Sequence, residues 1–249
     1  MIRQIFRFSL LGKIVIALVL VGLLPLILAS AQLLTLNRRA FADHVLRLHA
    51  VTARTTASQI DAEVSARHGV VQAAAQNPLL LIDPHSSASQ EVLMGLLTSE
   101  GSLGAFSVGM FNRQGKEIIR AQRKGIDRKT ADLLSAKYDM GSSLVNSSGQ
   151  NYLIVQTQVP QSDAVFRALF DGDSLKRFLE PDELGESASI SLVNRRGEAV
   201  IQPGAQPQVI PVGLVDHAKS GRISGAGKFQ DALGTEVLGA FAPLHQGPW

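Results

Sequence analysis

The feature that most limits what this chain can fold into is a repeat. FSVGMFNRQGKEII at 106–119 matches ASISLVNRRGEAVI at 188–201 at a constant offset of 82. Each copy reads as a short apolar strand, a four-residue turn and a second strand. Gly115 and Gly197 fall where such a hairpin needs a positive φ, which glycine supplies without steric cost. The likeness continues downstream. Asn146-Ser-Ser-Gly149 precedes a strand at 152–159, and Asp231-Ala-Leu-Gly234 precedes a strand at 237–242. Residues 165–170 complete the first sheet, and 174–179 start a helix capped by Asp173. Two tandem copies of one antiparallel module are expected, in the α+β class. On this alignment Trp249 falls near Phe166, so the second copy stops before its last strand. That would leave an edge unpaired, and the chain is expected to be a piece of a longer protein.

Ahead of the repeat lie two helical stretches. Residues 14–36 are 23 positions without a charge, dominated by Leu, Ile and Val. A helix of about 20 apolar residues spans a bilayer core, and Pro25 is tolerable within one. The competing reading is a cleaved signal peptide, with Arg3, Arg7 and Lys13 as its basic region and Ala29-Ser30-Ala31 as the cleavage site. Apolar sequence continues through Leu33, Leu34 and Leu36, which favours an anchor. Both readings take the bulk of the chain out of the cytoplasm in a bacterial-type topology. From 37 to 76 there is no proline, and Gly69 is the only glycine. Phe41, Val45 and Leu48 recur at helical spacing, as do Ile60, Val64 and Val71, until Asn77-Pro78 stops the helix. Thr52, Thr55 and Gln59 break the stripe, so this helix is expected to pack against both a domain and a partner helix.

Charge follows the same division. Lys and Arg number 24 against 21 acids, and the whole excess lies at Arg3, Arg7 and Lys13. A basic run at 113–137 is expected to be a solvated face. With 5% aromatic residues there is little to stack on bases, so nucleic acid is disfavoured. The chain has no cysteine, which excludes disulfides, cysteine-ligated metal centres and a thiol nucleophile. His44, His49 and His68 are not spaced as metal ligands. Gly221 to Lys228 imitates a phosphate loop, but Arg222 occupies a required glycine position and Phe229 replaces the Ser or Thr. A glycine-rich turn or loop between strands is expected there. No catalytic constellation is present, so neither enzyme activity nor a cofactor is expected for these residues. Asp171 and Asp173 end a strand, and two readings stand: helix capping, or recognition of a cationic or amine group by Asp171.

Several pieces together resemble the double Cache sensor domain, a tandem of PAS-like modules in bacterial transmembrane receptors. They are Leu23-Leu-Pro-Leu-Ile27, Ala75-Gln-Asn-Pro-Leu79, Phe111-Asn-Arg-Gln-Gly115, Val193-Asn-Arg-Arg-Gly197 and the stretch from Gly239 to Trp249. The resemblance covers essentially the whole chain and rests on the order of the pieces and the repeat. It implies a cytoplasmic N-terminus at 1–13, a membrane helix at 14–36 and a stalk helix at 37–77. A membrane-distal module at 78–180 and a membrane-proximal one at 181–249 follow. It further implies a small-molecule ligand or a periplasmic protein as partner, a homodimer through the stalk, and a downstream output such as a histidine kinase, chemoreceptor or cyclase. The alternative is an anchored or secreted binding or adaptor module without output. By position, the family's pocket places Arg120, Arg123, Lys124 and Tyr138 in a covering segment, with Tyr152 and Asp171 at the sheet edge. Amino-acid-binding members carry an Arg-x-Trp-Tyr element in that segment. This chain has no tryptophan before 249, so the element is missing.

Overall fold

The structure, a computed structural model, describes residues 10–99, 103–136, 138, 140–180, 188–194, 196–202, 210–220, 224–231 and 234–246. The chain divides into two compact units, Met1–Leu48 and His49–Trp249. The first unit contributes the opening part of α1 (Leu10–Ala75), with Pro25 inside it. Its large apolar side chains, Leu18, Val21, Leu26 and Leu33 among them, lie exposed. A helix this long and apolar is a candidate membrane anchor.

In the second unit, the later turns of α1 bury a stripe at helical spacing: Thr52, Thr56, Ile60, Val64, Arg67, Val71 and Ala74. Of the three residues read as breaking the stripe, Thr55 and Gln59 are exposed and Thr52 belongs to the buried line. Asn77 caps α2 (Pro78–Ile82) by accepting from the Leu79 N–H at 3.0 Å, with Pro78 in the first turn where its missing N–H costs nothing. Ser86 caps α3 (Ser87–Thr98) through the Ser89 N–H.

A five-stranded antiparallel sheet follows, built from β1 (Ser107–Phe111), β2 (Glu117–Gln122), β3 (Gly141–Ser147), β4 (Gln150–Gln158) and β5 (Val165–Asp171). Its spatial order is β2-β1-β5-β4-β3, so β5 lies at the centre, between β1 and β4. β1 and most of β4 and β5 are buried without alternation, because both faces of the sheet are covered. One face carries Val108, Met110, Leu153, Val155, Phe166, Ala168 and Phe170, packed with Ile60, Val64 and Val71 of α1 and Leu93 and Leu97 of α3. The other face carries Phe111, Tyr152, Ile154 and Leu169. It is closed by Leu134, which lies just after α4 (Arg128–Asp132) in a 3₁₀ turn, Leu133–Ser135.

The repeat holds at atomic detail. In the first hairpin Asn112 accepts from the backbone N–H groups of Gln114 and Lys116, and Gly115 has φ +83°. In the second, Asn194 accepts from those of Arg196 and Glu198, and Gly197 has φ +86°. The strands themselves differ: β6 (Leu192–Val193) and β7 (Ala199–Ile201) form a two-stranded sheet of their own. Leu192 and Ile201 nonetheless bury into the core that holds Val64 and Phe166. α6 (Val212–Ser220) precedes a further two-stranded sheet, β8 (Gly225–Gln230) with β9 (Glu236–Phe241).

Two expectations need correction. The glycine-rich run read as a turn or loop is, from Gly225 onward, strand β8. Gly225 is there for room, since a Cβ would meet the Phe241 ring at 2.8 Å. The helix after β5 starts from Gly172 with no side-chain cap, rather than with one from Asp173, and Asp171 Oδ1 accepts from the Asp173 N–H at 3.0 Å in the turn that leads into it. That helix begins as a 3₁₀ turn, Asp173–Leu175, before α5 (Lys176–Leu179), so its first free N–H lies within reach of Asp171. The expected domain boundary near 180, the Arg222 position and the end of the chain at 247–249 lie outside the described residues.

Candidate functional site

The candidate site is the sheet face that Leu134 closes. Because residues alternate along a strand, β5 presents Arg167, Leu169 and Asp171 to this side, and β4 presents Tyr152, Ile154 and Gln156. In register, Arg167 lies opposite Gly109 on β1 and Gln156 on β4. At Gly109 a Cβ would come within 3.1 Å of the Phe111 ring. The absent side chain lets that ring fold back, and the Arg167 guanidinium stacks over it, 5.1 Å from the centroid.

Arg167 is the chemical centre of this face. It is 6% exposed. Its Nε donates to Gln156 Oε1 at 3.1 Å, and Nη1 donates to the carbonyls of Leu134 (2.6 Å) and Ala136 (2.8 Å). Gln156 in turn donates to the Tyr138 carbonyl at 3.0 Å. The Arg167–Gln156 pair therefore holds the backbone of the covering segment onto the sheet. Among the described residues Arg167 makes no ion pair with a carboxylate, and its hydrogen bonds engage Nε and Nη1 and leave Nη2 open. Burial lowers its pKa from the ordinary arginine value, opposed only by the nearby Tyr138. Tyr138 itself is raised by burial and drawn back by Arg167.

The residues expected from sequence are distributed around this centre. Tyr138 packs at the margin of the cluster, its hydroxyl donating to the Leu133 carbonyl at 2.7 Å. Tyr152 is buried in it, edge-on to Phe106 with centroids 6.2 Å apart. Asp171 pairs in register with Tyr152. Arg120 turns instead to acids: it bridges Glu117, Asp132 (3.0 Å) and Ser135 Oγ. Arg123 donates to the Leu97 carbonyl at the end of α3. Lys124 is exposed in the turn after β2. Thus Tyr138, Tyr152 and Asp171 come together, and Arg120 shares the face of Arg167 across Gly109, held there by its acids, while Arg123 and Lys124 lie away from it.

A second buried arginine lies on the opposite, helix-covered face. Arg67 of α1 is fully buried and donates to Glu63 Oε1 (2.9 Å), Ser174 Oγ (2.7 Å) and the backbone carbonyl of Asp171 (3.0 Å). Its guanidinium lies 5.4 Å from the Phe170 ring, and Arg177 shares Glu63 at 3.1 Å. Burial lowers its pKa, and Glu63 raises it in opposition. Through Asp171 the end of β5 is bonded directly to α1. No metal-binding group of three His, Asp or Glu occurs among the described residues.

By architecture the second unit is an α+β domain whose central sheet has one helix-covered and one loop-covered face. No protein-family model and no curated protein matches the chain. Among solved structures, it is similar to ligand-binding domains of bacterial amino-acid chemoreceptors. One is that of the Pseudomonas fluorescens chemoreceptor CtaA in complex with L-isoleucine, at 19% identity and a TM-score of 0.47, covering 67% of this chain and 72% of that one. The same domain with L-alanine gives 16% identity, a TM-score of 0.46 and coverages of 80% and 88%. The ligand-binding domain of PctC from Pseudomonas aeruginosa PAO1, in complex with GABA, gives 16% identity, a TM-score of 0.47 and coverages of 75% and 87%.

Proposed function

We propose that this chain is the extracytoplasmic, small-ligand input region of a membrane-anchored signalling protein. The stretch at 14–36 is its anchor, the rest of α1 its stalk, and the five-stranded sheet region its sensing module, with the proximal module after it. The observation that carries this reading is the loop-covered face, where a short segment closes over a buried arginine that no acid neutralises. A structural core has little use for such a charge, which burial alone makes unfavourable. One layer of strands separates that face from α1, and the bonds from Arg67 to the end of β5 tie the two. An event that moves β5 therefore acts on the helix that leads to the membrane. A ligand with different affinity for two placements of α1 would shift the balance between them.

The outward face of the stalk supports the dimer in this proposal. Phe41, Leu48 and Val51 lie exposed along it, a line that a second copy of α1 would cover. With no native cysteine, Val51→Cys places a unique thiol on this face. Disulfide-linked dimers on mild oxidation in membranes are expected, and monomer alone would contradict the stalk dimer.

The sensor reading itself is tested by melting the full chain in nanodiscs against organic acids, amines and amino acids. Binding to the native state raises the melting temperature, so one chemical class is expected to shift it. No shift with any class would contradict a small-ligand sensor and favour an adaptor that meets a protein.

A further inference from the structure

We propose that the loop-covered face takes a small monoanion with an apolar body and no ammonium group, a simple monocarboxylate, with Arg167 as its anchor. This names the ligand class of the site in the sensor reading and rests on that reading. Three observations carry it.

The first is the state of the Arg167 charge. All three of its hydrogen-bond partners are neutral oxygens, and Nη2 has none. A guanidinium presents a fork that suits a carboxylate, and an anion at Nη2, the nitrogen left open on this face, would supply the missing counter-charge. Arg67 contrasts with it in charge rather than in hydrogen bonding: its Nε is buried without a partner, but its charge is met by Glu63.

The second is the wall. Phe111, Leu134, Tyr152, Ile154 and Leu169 form the cluster around Arg167. Arg120 faces the same side across Gly109 but is paired with Glu117 and Asp132. Arg167 is therefore the cation without an acid among the described residues of this face, which matches one negative charge on an apolar body.

The third is the condition of the nearby acids. Asp171 Oδ1 caps the turn after β5, and Asp173 receives Asn151 and pairs with Lys176. Asp132 is held by Arg120, and Asp127 caps α4 through the Thr130 N–H. Each carboxylate near this face already has a structural partner, which leaves the ammonium of an amino acid without a dedicated acceptor.

Binding at Arg167 also bears directly on the covering segment, because Nη1 holds the Leu134 and Ala136 carbonyls. The test is calorimetric titration of the full chain in nanodiscs with sodium butanoate. 4-Aminobutanoate, butylamine and sodium chloride at matched ionic strength serve as comparators. Saturable butanoate binding is expected, at least tenfold tighter than 4-aminobutanoate and absent for butylamine and chloride. Arg167→Lys keeps the charge but not the fork, and is expected to weaken butanoate at least tenfold. Arg167→Met is expected to abolish it while the protein still melts cooperatively. If Arg167→Met does not fold, the Arg167→Lys titration decides alone, and unchanged affinity there overturns the proposal. Tighter binding of 4-aminobutanoate than of butanoate would overturn the ligand class and leave the sensor reading intact. No binding of butanoate, when another class shifts the melting temperature, would likewise overturn this proposal alone.

Discussion

Two arginines lie buried on opposite faces of one sheet, and their surroundings divide the molecule by purpose. Arg67, on the helix-covered face, has an acid four residues away, a hydroxyl and a carbonyl, and shares its acid with Arg177. Arg167, on the loop-covered face, has an aromatic ring, an amide and two carbonyls of the covering segment. The first charge is neutralised where it stands and fastens the end of β5 to α1. The second is left positive beneath a short cover. A buried charge without an acid is costly unless something else completes it, and that difference is the ground for proposing the loop-covered face, and not the helix-covered one, as the ligand face.

The comparison can be broken most easily at Arg67. Arg67→Met removes a neutralised charge and takes from Glu63 its fully buried partner. A loss of about 3 kcal/mol is expected, the low end of the cost of breaking a buried pair from one side. It would be read from chemical denaturation of the full chain followed by far-UV circular dichroism. Arg167→Met strands no acid and removes an unneutralised charge, so its cost without ligand is expected to be only about 1–2 kcal/mol, for hydrogen bonds to neutral groups. Equal losses at the two sites, or a reversed order, would remove the distinction. Tyr138→Phe, which deletes the hydroxyl bond to Leu133, sharpens it at about 1 kcal/mol.

The smallest effect concerns α4. The Asp127 carboxyl is held below the usual carboxylate range, first by its side-chain bond with Thr130. The cap is therefore fully present above the ordinary aspartate pKa and is lost as pH falls through the lowered folded value. Amide exchange at Thr130 and Ala131, corrected for intrinsic rate, is expected to quicken below that point. In Asp127→Ala it is expected to be fast and insensitive to pH across it.

Both arginines had a trace in the sequence. Arg67 falls on the buried line Ile60, Val64, Val71, and Arg167 interrupts the apolar strand VFRALF. A charge on a periodic apolar face is the sign of a buried, functional or paired group. The residues read as a covering set, Arg120, Arg123 and Lys124, sit in a sequence neighbourhood rich in charge, where position in the chain says little about direction. Arg120 found Asp132 and Arg123 found the end of α3, partners made adjacent only by folding. The hairpin repeat was legible because its turn is local: Asn112 and Asn194 bond within four residues of themselves. The pairing of β5 with β1 was not, since it depends on contacts more than 50 residues apart in the chain. The strand at Gly225 was misread for a related reason. Glycine weakens a strand by itself, and only the Phe241 ring across the hairpin explains it there.

The central claim is that the loop-covered face is the responsive one. Hydrogen–deuterium exchange on the full chain in nanodiscs, with and without saturating butanoate, tests it most directly. Protection is expected to rise in the covering segment from Arg128 to Tyr138 and along β5, with the hairpin of β6 and β7 unchanged. No change in the covering segment, or protection confined to the β6–β7 hairpin, would contradict the account.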